Sequence, residues 1–106
     1  MKIFTHLRNI IKLEQDCLTF IDSLEDRDIV ASVGYHEMVA GEPLTLKHLF
    51  QLDIGSIATI QRRVTRLVEL GVLIKKRDRT DRRVFTLHLG LNTKRDYQRF
   101  EVALAA

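Results

Sequence analysis

The chain has 106 residues, 45% of them apolar and 29% charged, with a net charge of +3 at neutral pH. That length predicts one domain with a modest core and excludes two; no apolar run approaches the ~18 residues of a membrane span. A single cysteine and no visible secretory leader predict a reducing, cytoplasmic setting and argue against a disulfide scaffold.

Met1 to about Leu24 reads as one amphipathic helix without Pro or Gly. Ile3, Leu7, Ile10, Ile11, Cys17, Leu18, Ile21 and Leu24 form its apolar stripe, and Phe4, Leu13 and Phe20 widen it. Such a stripe is more than one small core needs, so residues 1–24 are expected to pair with a second copy of the chain. Ile3, Leu7, Ile10, Cys17, Ile21 and Leu24 would lie in that homodimer contact. Leu24 to Asp28 is a charged joint, and Ile29 to Ala40 a second helix with Ile29, Val30, Val33, Met38 and Val39 as core candidates. Gly41-Glu42-Pro43 stops it. Thr45 caps a short helix from Leu46 to about Leu52, and Asp53-Ile54-Gly55 makes the turn that follows.

From Gly55 to Gly71 the chain reads G-S-I-A-T-I-Q-R-R-V-T-R-L-V-E-L-G. Ile57, Ile60, Val64, Leu67 and Val68 recur at helical steps, with Ser56 as N-cap and Gly71 just past the end. At roughly 100° per residue, Arg62 falls almost opposite the apolar face, with Ala58, Thr59, Thr65 and Arg66 beside it. Beyond Gly71 the period shortens. V-L-I-K-K-R-D and V-F-T-L-H-L-G suit two antiparallel strands, joined by a polar turn carrying Arg79, Arg82 and Arg83. Asn92 or Thr93 is expected to cap a terminal helix over residues 92–106, with Tyr97, Phe100, Val102 and Leu104 as its apolar positions. The predicted fold is α+β and mostly helical: a winged helix-turn-helix over residues 44–91 with a two-stranded wing, flanked by N- and C-terminal helices.

The motif S-x-x-T-I-x-R-x-V-x-x-L-x-x-x-G-x-[LI], followed by D-x-R-x-x-x-x-x-L, resembles the MarR family of bacterial transcription regulators. It is carried by Ser56, Thr59, Ile60, Arg62, Val64, Leu67, Gly71 and Leu73, then by Asp81, Arg83 and Leu89. Gly90 stands where that family usually has Thr, and Ile57 where it often has a polar residue. The resemblance implies a transcriptional repressor. It also implies a wing in which Asp81 holds Arg83 against DNA, with Arg82 able to do the same work.

Charge and motif coincide. Nine Lys and Arg face three Asp and Glu between Arg62 and Arg83, so the rest of the chain is net acidic. This is the footprint of a polyanion binder, here double-stranded DNA. Arg62 and Arg66 are placed for guanine edges or phosphates, Ser56 and Thr59 for a phosphate or base edge, Gln61 and Arg63 for the flanks. Spacing leaves open which arginine meets a base. A loop tip bearing Arg79, Arg82 and Arg83 suits a narrow minor groove, and Asp78 suits the turn's own backbone.

Nothing resembles an active site. His6, His36, His48 and His88 lack metal-ligand spacing, and there is no phosphate loop or nucleophile motif, so neither metal nor cofactor is expected. The other reading of the same residues is a winged helix that serves as a protein-assembly module, its basic face meeting an acidic partner. No residue pattern identifies a small-molecule effector.

Overall fold

The computed structural model describes residues 1–106. In chain order it has helix α1 (Lys2–Cys17), helix α2 (Leu24–Tyr35) running into a π-helical turn (His36–Ala40), strand β1 (Leu44–Thr45) and helix α3 (Leu46–Phe50). Helix α4 (Ile57–Glu69), strands β2 (Leu73–Arg77) and β3 (Phe85–Leu89), and helix α5 (Leu91–Ala105) complete it. This is a winged helix-turn-helix, and its sheet has three antiparallel strands in the order β1-β3-β2 rather than the two expected. Leu44 pairs with Leu87 and Leu73 with Leu89. A two-residue edge strand is too short to leave a period-two signal in the sequence.

The buried apolar core draws on α2, β1, α3, α4, β2 and β3, α3 contributing Leu49, while α1 and α5 supply no buried apolar residue. Ile29, Val30 and Val33 of α2, Leu44 of β1, Ile60, Val64 and Leu67 of α4, and Leu73, Leu87 and Leu89 of the sheet form one cluster, joined by Leu18 and Phe20. Each fully buried aliphatic side chain contributes about 1.5–3 kcal/mol of transfer free energy. No helix is long and apolar enough to cross a membrane.

Several boundaries depart from expectation. Helix α1 stops at Cys17, where Leu18 leaves the helical region (φ −113°, ψ 66°) and, with Phe20, turns into the core. Ser23 then caps α2, accepting from the Asp26 amide, so the stretch read as a charged joint is the first turn of a helix. An unbroken apolar pattern without Gly or Pro concealed this break. The six residues assigned to one dimerisation stripe separate accordingly. Ile3 and Leu7 are exposed on α1, Ile10 is half-buried, Cys17 and Ile21 pack against the core, and Leu24 opens α2. Met38 and Val39 are solvent-exposed rather than core, because the π-turn interrupts the 3.6-residue periodicity that placed them inward. Ile57, the first residue of α4, is exposed as well.

Two glycines flank the wing, Gly71 between α4 and β2 and Gly90 between β3 and α5. Gly71 follows α4 with φ +75°, the left-handed region that a side chain disfavours. Gly90 donates its N–H to the Val72 carbonyl at 2.9 Å. A Cβ at Gly90 would lie 2.1 Å from the Gly71 carbonyl oxygen, so a Thr here would force the two segments apart. Gly90 itself is the N-cap position of α5. Thr93, expected as a cap, instead lies inside the first turn and donates its hydroxyl to the Val72 carbonyl at 2.8 Å, fully buried.

Candidate nucleic-acid interface

Helix α4 is set by its ends and its inner face. Ser56 is extended (φ −63°, ψ 155°), and its hydroxyl accepts from the Thr59 amide at 3.1 Å. The same hydroxyl donates to Thr59 Oγ1 at 2.9 Å, and Arg62 Nη2 approaches that oxygen at 3.4 Å. Ser56, Thr59 and Arg62 therefore make one polar cluster at the N-terminal end of α4, where unpaired backbone amides and the helix dipole favour an anion. Gln61 and Arg62 are exposed there. Ile60, Val64 and Leu67 hold the opposite face in the core.

Arg63 and Arg66 go elsewhere. Both turn toward Asp26, a carboxylate with no solvent exposure in the first turn of α2. Arg63 donates from Nε to Asp26 Oδ1 at 2.8 Å and from Nη2 to Oδ2, a two-bond fork. Arg66 Nη1 donates to Asp26 Oδ2 at 3.1 Å and to the Phe20 carbonyl at 3.1 Å, and the Asp22 amide donates to Oδ2 at 3.0 Å. Burial alone would push the Asp26 carboxyl up. The bonds from Arg63 and the Asp22 amide, with the charges of Arg63 and Arg66, outweigh it and hold the carboxyl below its ordinary value. The same pairing raises the Arg63 guanidinium further. The expectation that Arg66 shares the open face with Arg62, with Arg63 on its flank, is corrected by this geometry, since both guanidinium groups are committed to α2. Helical spacing places a Cα on a face; it does not report where a long side chain with a buried anion in reach will turn. Asp26 was missed although S-L-E-D, from Ser23 to Asp26, carries the Ser-x-x-acid pattern of a helix start.

The wing loop runs from Asp78 to Val84. Asp78 Oδ2 accepts from the amides of Thr80 and Asp81 and from the Thr80 hydroxyl, which organises the turn and lowers its carboxyl. Asp81 accepts from Arg83 through the side chain (Oδ1···Nε 3.2 Å, Oδ2···Nη2 3.3 Å) and through the Arg83 amide at 3.1 Å; these bonds lower its carboxyl. The Arg83 side chain is nonetheless 91% exposed, steadied rather than withdrawn from solvent. Arg79 and Arg82 are exposed beside it. At the base of the wing, Lys75 and Arg77 lie over the Phe85 ring at 4.4 and 4.9 Å, and Arg77 also donates to the Arg82 carbonyl. Thus the wing tip keeps three arginines exposed, Arg83 among them steadied by Asp81, while α4 keeps one.

A scan against protein-family models finds no match, and a search of curated proteins finds none either. Solved structures do match. The chain is similar to the transcriptional regulator Tm0710 from Thermotoga maritima, with a TM-score of 0.72 and 18% identity over 97% of this chain and 67% of that one. It is similar to the PcaV transcriptional regulator from Streptomyces coelicolor, solved with its natural ligand, at TM-score 0.58 and 26% identity over 78% of this chain and 55% of PcaV. It also matches reduced AbfR, solved bound to DNA, at TM-score 0.62 and 18% identity over 88% of this chain and 65% of AbfR. The chain thus spans between about half and two thirds of the length of these proteins. It has the winged helix-turn-helix fold of the MarR/SlyA-type transcription regulators.

Proposed function

We propose that this chain is a sequence-specific double-stranded DNA-binding transcription regulator, a repressor rather than an enzyme, working in the cytoplasm. One observation carries the reading: nine Lys and Arg against three Asp and Glu lie between Arg62 and Arg83 on a chain whose remainder is net acidic, and that stretch sets exposed arginines on α4 and at the wing tip. These are Arg62, beside the capped N-terminus of α4, and Arg79, Arg82 and Arg83 at the wing tip. Helix α4 would enter the major groove with Arg62 at a base edge, Ser56 and Thr59 at a phosphate, and Gln61 on the flank. The wing arginines would lie along the minor groove, with Asp81 steadying Arg83. The shared fold with AbfR, whose structure is bound to DNA, supports DNA as the partner.

The chain acts as a homodimer in this reading. Ile3, Phe4, Leu7 and Ile11 on α1 are between 42% and 63% exposed, and α1 packs along α5, where Val102 is 71% exposed. A second copy covering this apolar surface would place two α4 helices on half-sites about one DNA turn (~34–36 Å) apart. Repression is then steric: the occupied site excludes polymerase or a competing factor.

Selection of bound sequences from random duplexes tests this, followed by salt titration on the winner. A preferred palindromic site is expected, with log affinity falling by about 0.9 per log unit of salt for each phosphate neutralised. No preferred duplex and a flat salt response would reject DNA binding in favour of an assembly module whose basic face meets an acidic protein.

A further inference from the structure

Arg62, Arg63 and Arg66 lie within five residues of each other on α4, yet only Arg62 is well exposed, while the Arg63 and Arg66 side chains are 21% and 33% exposed. The other two converge from successive turns on Asp26, which receives bonds from Arg63 Nε, Arg63 Nη2, Arg66 Nη1 and the Asp22 amide. An unpaired buried carboxylate is costly, and one met by a guanidinium fork and a second guanidinium is satisfied only in a narrow range of helix orientations. The clamp joins the first turn of α2 to the middle of α4, and Arg66 extends it to the Phe20 carbonyl in the loop after α1. Apolar packing through Ile60, Val64 and Leu67 tolerates a small roll of α4 about its axis. The fork does not. Since successive residues on a helix are about 100° apart, holding Arg63 inward holds Arg62 outward.

We infer that Asp26, Arg63 and Arg66 form a positioning clamp that sets the roll of the DNA-reading helix, and that Arg63 and Arg66 do not touch DNA. The inference rests on the proposed DNA binding. Asp26 is a positioning residue that acts through α4. It also works as a device for specificity: two guanidinium groups that would otherwise grip any phosphate backbone are withheld from it.

The test uses the whole chain with its selected duplex and an unrelated one. In the unaltered protein, the arginine Nε–H resonances of Arg63 and Arg66 should keep their shifts when the duplex is added, while that of Arg62 moves. Asp26→Asn keeps the side-chain shape but turns one acceptor into a donor, which opens the fork. Its discrimination between the two duplexes should fall at least tenfold. Its salt slope on the unrelated duplex should steepen by one to two units as freed arginines reach phosphates, roughly one unit for each. Lost stability by itself cannot steepen that slope. Arg63→Met should reduce discrimination while leaving the slope as it was, and Arg62→Ala should not steepen it. Arg63 or Arg66 resonances that move with DNA as Arg62 does would overturn the inference, as would an Arg63→Met slope shallower by a full unit. A folded Asp26→Asn protein with parental discrimination and slope would overturn it too. If Asp26→Asn does not fold, the resonances of the unaltered protein still decide. An unaltered protein with no duplex preference and no salt response fails differently, because the proposed function falls first.

Discussion

Helix α1 and the winged body have similar apolar character and opposite fates. The body sets its apolar residues into a single cluster, with Ile29, Val30, Val33, Leu49, Leu67 and Leu87 fully inaccessible. Helix α1 contributes no buried residue, although Ile3, Phe4, Leu7 and Ile11 would suit a core. It lies along α5 beside the body and is tied at its end by the Glu14–Arg27 ion pair. The radius of gyration, 14.7 Å, exceeds the ~13 Å of a compact domain of this length, and the long dimension is 50 Å. An apolar helix face left outside a core is informative because water penalises it; the body is complete without that face, so its apolar residues answer to something other than the fold of one chain.

The sharpest way to break this contrast is at the joint between α2 and α4. Asp26→Ala removes the acceptor that ties α2 to α4 and lets the part-exposed Arg63 and Arg66 turn to solvent, and losing hydrogen bonds to a charged group costs about 1.5–3 kcal/mol each. That is a large share of the roughly 5–15 kcal/mol that holds a domain of this kind together; urea denaturation measures it. The same site has a pH signature. Because the folded carboxyl lies below its ordinary value, its contribution is complete above about pH 4 and is lost as acid titrates it in the folded state. Acid unfolding of the Asp26→Asn protein should lack that step.

A matched pair of substitutions probes the arm. Ile21 packs against the core and Leu7 is 42% exposed, although the sequence pattern places both on one stripe. Ile21→Asp should therefore destabilise the monomer by about 2 kcal/mol or more by forcing a charge toward the core. Leu7→Asp should leave the fold intact and dissociate the dimer in sedimentation velocity. A parental protein that sediments as a monomer at tens of micromolar would remove dimerisation altogether.

Binding separates the two basic regions. Arg62→Ala should weaken the preferred duplex by about 1–3 kcal/mol if its guanidinium meets a base edge, and flatten preference at one position. Replacing Arg82 and Arg83 together should lower affinity for all duplexes alike and reduce the salt slope by about two units. Asp81→Ala, which only frees Arg83, should do less.

The smallest expected effect lies where arm and body meet. Tyr97 of α5 is 6.3 Å from Phe20, ring centre to ring centre. Burial and the nearby Glu14 carboxylate push its hydroxyl up to about 12. A raised folded value means stability that is complete below pH 10 and drains as pH rises from about 10 to 12. Tyr97→Phe should remove that alkaline step and leave neutral-pH stability little changed.

Much of this was legible in the chain of residues alone. The inner face of α4 at Ile60, Val64 and Leu67, its Ser56 cap, the Gly71 terminus and the hairpin around Asp78–Val84 are local patterns. A helix or hairpin states its period and its ends within a few residues, and those statements held. The accumulation of positive charge from Arg62 to Arg83 was likewise visible by counting. What the sequence could not state was which side chains would meet across distance. The end of α1 at Cys17 depends on Leu18 and Phe20 finding the core, the strand at Leu44–Thr45 depends on pairing with Leu87 and Thr86, and the exposure of Met38 depends on a π-turn. Above all, Arg63 and Arg66 look like Arg62 in the sequence. Only the fold brings Asp26, 37 and 40 residues earlier, within reach of their guanidinium groups, and a buried carboxylate claims them because its charge has no other partner.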